Sequence, residues 1–123
     1  MSTLNVLIIE DDTWLAEQYS RVITKAGYNA IITPHTLSAI HVIDEVEISA
    51  IILDLLLTGS NAFTLIHELQ SYGDTGDIPI ILCTNLANDI SLEDLKPYGI
   101  KRLLDKSKMI PGDLVVALKS VLG

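Results

Sequence analysis

Ala50-Ile51-Ile52-Leu53-Asp54 is an apolar run closed by a carboxylate, and two other segments share its design. Asn5-Val6-Leu7-Ile8-Ile9 leads into Glu10-Asp11-Asp12, and Pro79-Ile80-Ile81-Leu82-Cys83 leads into Thr84. A shorter run, Leu103-Leu104-Asp105, leads into Lys106. None alternates apolar with polar residues, which is how a parallel strand covered on both faces reads. Laid side by side, such strands bring their polar ends to one edge of the sheet.

The segments between these runs carry helical spacing. Leu15, Tyr19, Val22, Ile23 and Ala26 lie on one face of a helix opening at Thr13, and Gly27 supplies its stop. A strand from Tyr28 to Thr33 follows, then Pro34 and a helix with Leu37, Ile40, Ile43 and Val46 on its apolar face. After Asp54, the loop Thr58-Gly59-Ser60-Asn61 leads to a helix carrying Ala62, Leu65, Ile66 and Leu69, with Ser60 or Asn61 as N-cap and Gly73 as stop. A short helix is expected before Pro97, with Ser91 and Asp94 spaced as a capping box. The last helix opens near Pro111 and presents Leu114, Val115, Leu118, Val121 and Leu122. The order is βαβαβαβαβα, which predicts an α/β fold: one doubly wound (βα)5 domain over residues 1–123 with right-handed crossovers.

The chain of 123 residues is large enough to bury a core without disulfides, and its lone Cys83 excludes an internal one. No stretch approaches the roughly 18 to 20 apolar residues of a membrane span. The N-terminus has no basic region of the secretory type, so a cytoplasmic location is expected. Sixteen acidic against eight basic residues give a net charge of -8, which opposes direct nucleic-acid binding. Five of the eight basic residues, Lys96, Lys101, Arg102, Lys106 and Lys108, are gathered near the C-terminal end. They read as a solvated face, with partner docking as the alternative.

In a doubly wound sheet the binding crevice lies outside the carboxyl ends of the strands, where the strand order reverses. With the order 2-1-3-4-5, strands one and three are neighbours there. Glu10, Asp11 and Asp54 are then expected within a few ångströms of one another, flanked by Thr84 and Lys106. Crowded carboxylates raise one another's pKa unless a cation intervenes, and oxygen-only ligands favour Mg²⁺. Asp12, beside the first helix, reads as a helix-terminus residue and Asp105 as structural. His35, His41 and His67 lack zinc-type spacing, Cys83 reads as a packed thiol, and Trp14 is expected to pack.

Glu10-Asp11, Asp54, Thr84 and Lys106, in this order at the ends of successive strands, give the whole chain a resemblance to the CheY-like receiver domain of two-component response regulators. The resemblance implies a flavodoxin-like fold and a signalling protein rather than an enzyme. It implies that Asp54 is the phosphoacceptor for a histidine kinase or phosphotransfer protein in a phosphorelay. Glu10 and Asp11 would hold Mg²⁺ with Asp54 and the backbone carbonyl of Leu56, while Thr84 and Lys106 would meet the phosphoryl oxygens. A face made by the fourth helix, fifth strand and fifth helix would pass the signal to a downstream protein or effector domain.

Some positions depart from the family pattern. Thr58 stands where Pro is usual, Ala62 where Gly is, and Leu103 where an aromatic switch residue is common. Ser107 follows Lys106 where Pro, often cis, is common, so the bond is either trans or strained. Asn85, Leu56 and Leu86 imply a long-lived phosphorylated form and slow reaction with small donors. Two alternatives remain in view: a receiver-like module that docks partners without phosphorylation, and a haloacid dehalogenase-type phosphatase. The second would need Asp where Glu10 stands.

Overall fold

A computed structural model describes residues 3–54, 67, 71, 77–85 and 91–122. Its elements run β1 (Asn5–Ile9), α1 (Thr13–Lys25), β2 (Asn29–Thr33), α2 (Thr36–Glu45), β3 (Ala50–Asp54), β4 (Ile80–Thr84), α3 (Leu92–Leu95), β5 (Ile100–Asp105) and α4 (Pro111–Leu122). A 3-10 turn, Lys96–Tyr98, joins α3 to β5. All five strands are parallel, in the order β2-β1-β3-β4-β5.

Both faces of the sheet are covered, which is why its strands lack alternation. Val6, Ile8, Ala50, Ile52, Ile81 and Cys83 pack against Ala16, Tyr19 and Ile23 of α1 and Leu114, Ala117 and Leu118 of α4. The opposite face, with Leu7, Ile9, Ile51, Leu53, Ile80 and Leu82, packs on Ala39 of α2, Ile48, Leu95 and Ile100. Each fully buried Leu or Ile contributes about 1.5–3 kcal/mol of transfer free energy.

Local chemistry sets the element ends. Asp12 caps α1, its carboxylate accepting from Leu15 N at 3.1 Å. At the other end Gly27 has φ +101, while Gly27 N donates to Thr24 O (3.0 Å) and Tyr28 N to Ile23 O (3.2 Å). This paired closure needs a left-handed residue, and glycine adopts it without a Cβ penalty. It also consumes the Tyr28 N–H, so β2 begins at Asn29 rather than at Tyr28. In α4 the Asp113 carboxylate reaches back to Ile110 N at 2.9 Å and holds the first turn.

Other expectations shift. In α2, Leu37 faces solvent and Ala39 takes the fully buried place, with Ile40, Val42, Ile43 and Val46 packed beside it. Helix α3 is a single turn; Ser91 precedes it without a side-chain cap, so the predicted box with Asp94 does not form. Pro97 lies in the 3-10 turn, which Gly99 ends with φ +86. β5 starts at Ile100, and its exposed Lys101 and Arg102 belong to the strand because a border strand is covered less completely. The Lys106–Ser107 bond is trans. Apart from His67, which is helical, the helix expected from Ala62 to Leu69, its caps and Gly73 lie outside the described residues. Among the described residues no helix is long and apolar enough to cross a membrane.

Candidate functional site

Glu10 leaves β1 with its N–H bonded to Thr33 O of β2 at 3.0 Å, which holds it at the carboxyl edge of the sheet. Its side chain turns inward: Oε1 accepts from Asp12 N at 3.2 Å, and buried Oε2 has no hydrogen-bond donor among the described residues. Lys106 Nζ stands 3.7 Å from Oε2 and makes a close ion pair with Asp54 Oδ2. Asp54, the last residue of β3, is only 2% exposed. Thr84 ends β4 fully buried, and its carbonyl accepts from Lys106 N at 3.0 Å. The fold therefore gathers Glu10, Asp54 and Lys106, with Thr84 on the strand between Asp54 and Lys106.

Burial pushes the Glu10 carboxyl up to about 7; the Asp54 carboxylate, which a protonated Glu10 can hydrogen-bond and whose charge opposes ionisation, adds to the rise, against the Asp12 N–H and Lys106. Burial alone would depress the Lys106 ammonium, but its hydrogen bond to Asp54 and the charges of Asp54 and Glu10 outweigh that and hold it above its ordinary value. Burial, with Asp54 adding, pushes the Cys83 thiol up to about 12, and burial likewise raises Tyr19. Both groups stay neutral behind the site. Cys83 is the packed thiol the sequence suggests.

Two buried carboxylates thus face one ammonium. The donor-free Glu10 oxygen and the hard oxygen set fit a small divalent cation added to that balance. Asp11 is exposed, and among the described residues no three His, Cys, Asp or Glu side chains form a ready-made cage. Mg²⁺ takes only one or two protein carboxylates and keeps several waters, so such a cage is not required. Leu56 lies outside the described residues. Asp12 serves as the α1 cap.

Two features escape a reading of the sequence. Trp14, expected to pack, is 68% exposed, and with Ile110, 64% exposed, it lines a groove shared with Tyr19, Met109 and Lys106. Its place on the first turn of α1, outside the Leu15-Tyr19-Val22 stripe, is the signal that could have shown this. The other is a turn: Asp105 Oδ1 accepts from both Ser107 N (2.9 Å) and Ser107 Oγ (2.6 Å). The Asp-x-Ser spacing is its only mark in the sequence.

Residues 6–119 match the family model of the response regulator receiver domain. The phosphate regulon transcriptional regulatory protein PhoB of Pseudomonas aeruginosa is 31% identical over 120 residues, covering 95% of this chain and 51% of PhoB. The chain spans about half the length of the curated relatives it matches. A sensor protein from Polaromonas sp. JS666 superposes with a TM-score of 0.87 at 22% identity, covering 98% of this chain and 97% of that one. A receiver domain (CheY-like) from Methylobacillus flagellatus gives 0.81 at 21% identity, covering 98% and 99%. At those identities the two structures speak for the fold alone.

Proposed function

This chain belongs to the response regulator receiver domain family of two-component systems, and from that premise we propose that Asp54 accepts a phosphoryl group from the phosphohistidine of a kinase or phosphotransfer protein. The observation that carries the reading is the Lys106 ammonium, paired with buried Asp54 and facing buried Glu10 across three strand ends. A carboxylate oxygen of Asp54 attacks phosphorus, the O–P bond forms, and the donor's N–P bond breaks. The electron pair goes to the imidazole nitrogen, which takes a proton from solvent.

Anion meets anion in this step, so charge compensation decides the rate. Lys106 holds Asp54 before transfer and meets a phosphoryl oxygen after it. The Thr84 hydroxyl is the proposed donor to a second oxygen. Glu10 and Asp54 from within, Asp11 from the rim and the Leu56 carbonyl would hold Mg²⁺, which when bound offsets the negative charge of the phosphoryl oxygens. The acyl phosphate adds charge at a fixed point, and the face formed by α3, β5 and α4 shifts between two packings read by a downstream protein or effector domain.

Labelled transfer from a phosphohistidine donor tests the reading. Wild type takes label in the presence of Mg²⁺ and Asp54→Asn does not; equal labelling of both, or none on folded wild type, overturns it. Trp14 fluorescence gives a second view, changing once with Mg²⁺ and again with beryllofluoride, a phosphoryl mimic. A module that only docks partners shows no second change.

A further inference from the structure

We propose that Asp105 and Ser107 act as positioning residues: their clasp sets where the Lys106 ammonium stands, and through it the rate of phosphoryl transfer to Asp54. The inference rests on the reading of Asp54 as acceptor. A lysine side chain is flexible, with about 2 kcal/mol of rotamer entropy to lose, so a point charge aimed at one oxygen needs a fixed root. Lys106 follows β5, which among the described strands pairs with β4 alone. Beyond the one bond from Lys106 N to Thr84 O of β4, the chain needs an anchor other than the sheet once the strand ends.

The anchor is Asp105. Its carboxylate takes both donors of Ser107, the N–H at 2.9 Å and the hydroxyl at 2.6 Å. Its carbonyl takes two more N–H groups, from Lys108 at 3.1 Å and Met109 at 2.9 Å. Lys106 is therefore the apex of a tight turn whose entry and exit are tied to one residue, while its own N–H is tied to Thr84 O at 3.0 Å. The same bonds occupy a competing anion. Asp105 is adjacent to Lys106 in the chain, yet the ammonium pairs with Glu10 and Asp54. The Ser107 donors hold the Asp105 carboxyl below the usual carboxylate range, so the clasp stays an ionised acceptor.

Two substitutions break the clasp and two preserve it. Asp105→Ala removes the acceptor and Ser107→Ala one donor, whereas Asp105→Asn keeps an acceptor oxygen and Ser107→Thr keeps the hydroxyl. The full chain is phosphorylated with phosphoramidate in saturating Mg²⁺, with Mg²⁺ affinity followed by Trp14 fluorescence and folding by thermal melting. A misplaced reacting group costs up to about 100-fold in rate; for a loosened ammonium we expect about tenfold loss in Asp105→Ala and a smaller loss in Ser107→Ala. Asp105→Asn and Ser107→Thr recover the rate to within about twofold, and Mg²⁺ affinity is unchanged throughout.

A turn that is merely structural lowers the melting temperature of the two alanine variants and leaves the rate per folded molecule at the wild-type value; that result overturns the proposal. So does loss of rate and Mg²⁺ affinity together. If Asp105→Ala does not fold, Ser107→Ala, which removes one oxygen atom, decides alone. Failure of the acceptor reading is separate: wild type then takes no phosphate on Asp54, whereas failure of the clasp leaves wild type and Asp105→Ala equally phosphorylated.

Discussion

Glu10 makes the metal-free protein sensitive to pH in a direction that can be worked out. Its folded value is about 7 against an ordinary 4.5, so between the two the native state binds more protons than the unfolded chain. Stability then falls as pH rises from about 4.5 to 7 and levels off above. Denaturant unfolding without metal at pH 5 and pH 8 reads this difference. Glu10→Gln flattens the profile and raises stability at pH 8 by on the order of 1–3 kcal/mol, since each pKa unit is worth about 1.4 kcal/mol. Removing the opposite charge does the reverse. Lys106→Met leaves Asp54 and Glu10 facing each other, which costs about 3 kcal/mol at pH 8 and less at pH 5, where Glu10 takes a proton. An equal loss at both pH values contradicts the pairing described.

Among the elements, α1 depends on a backbone position that only glycine occupies without strain. Nothing lies within 4 Å of where a Cβ on Gly27 would sit, so Gly27→Ala meets no clash and pays only for φ +101. The expected loss is about 1–2 kcal/mol in a thermal or denaturant melt. Gly27 was legible from the sequence because it closes an amphipathic stripe, and β1 and β3 were legible because two-sided burial leaves uninterrupted apolar runs. The start of β5 was not: Lys101 and Arg102 sit in a border strand, where burial no longer dictates residue type. The α2 face was misread at Leu37, because three-residue spacing links it to Ile40 and Ile43 while the stripe that packs is rotated to Ala39, Ile40, Val42 and Ile43. Glu10, Asp54, Thr84 and Lys106 were legible as a group because the fold order sends every strand end to one edge. The exposure of Trp14 and the bonds between Asp105 and Ser107 depend on local geometry that spacing does not encode.

At the scale of the molecule, Glu10, Asp54 and the Lys106 counter-charge are far apart in sequence and meet only when the sheet is complete. Divalent cation binding at the proposed site would therefore be coupled to global folding: Mg²⁺ at ten times its Kd should raise unfolding free energy by about 1.4 kcal/mol, and Asp54→Asn or Glu10→Gln should weaken that gain. An identical rise in all three, followed by chemical denaturation, contradicts the site. The position of β5 has a final consequence. Lys106 is carried past the end of a border strand held by one neighbour, while Asp54 lies between two. Brief peeling of that margin, with the other four strands intact, would withdraw the ammonium from Asp54 and, under the acceptor role proposed above, silence it. The competence proposed for the molecule would then be a duty cycle set by how often its border breathes.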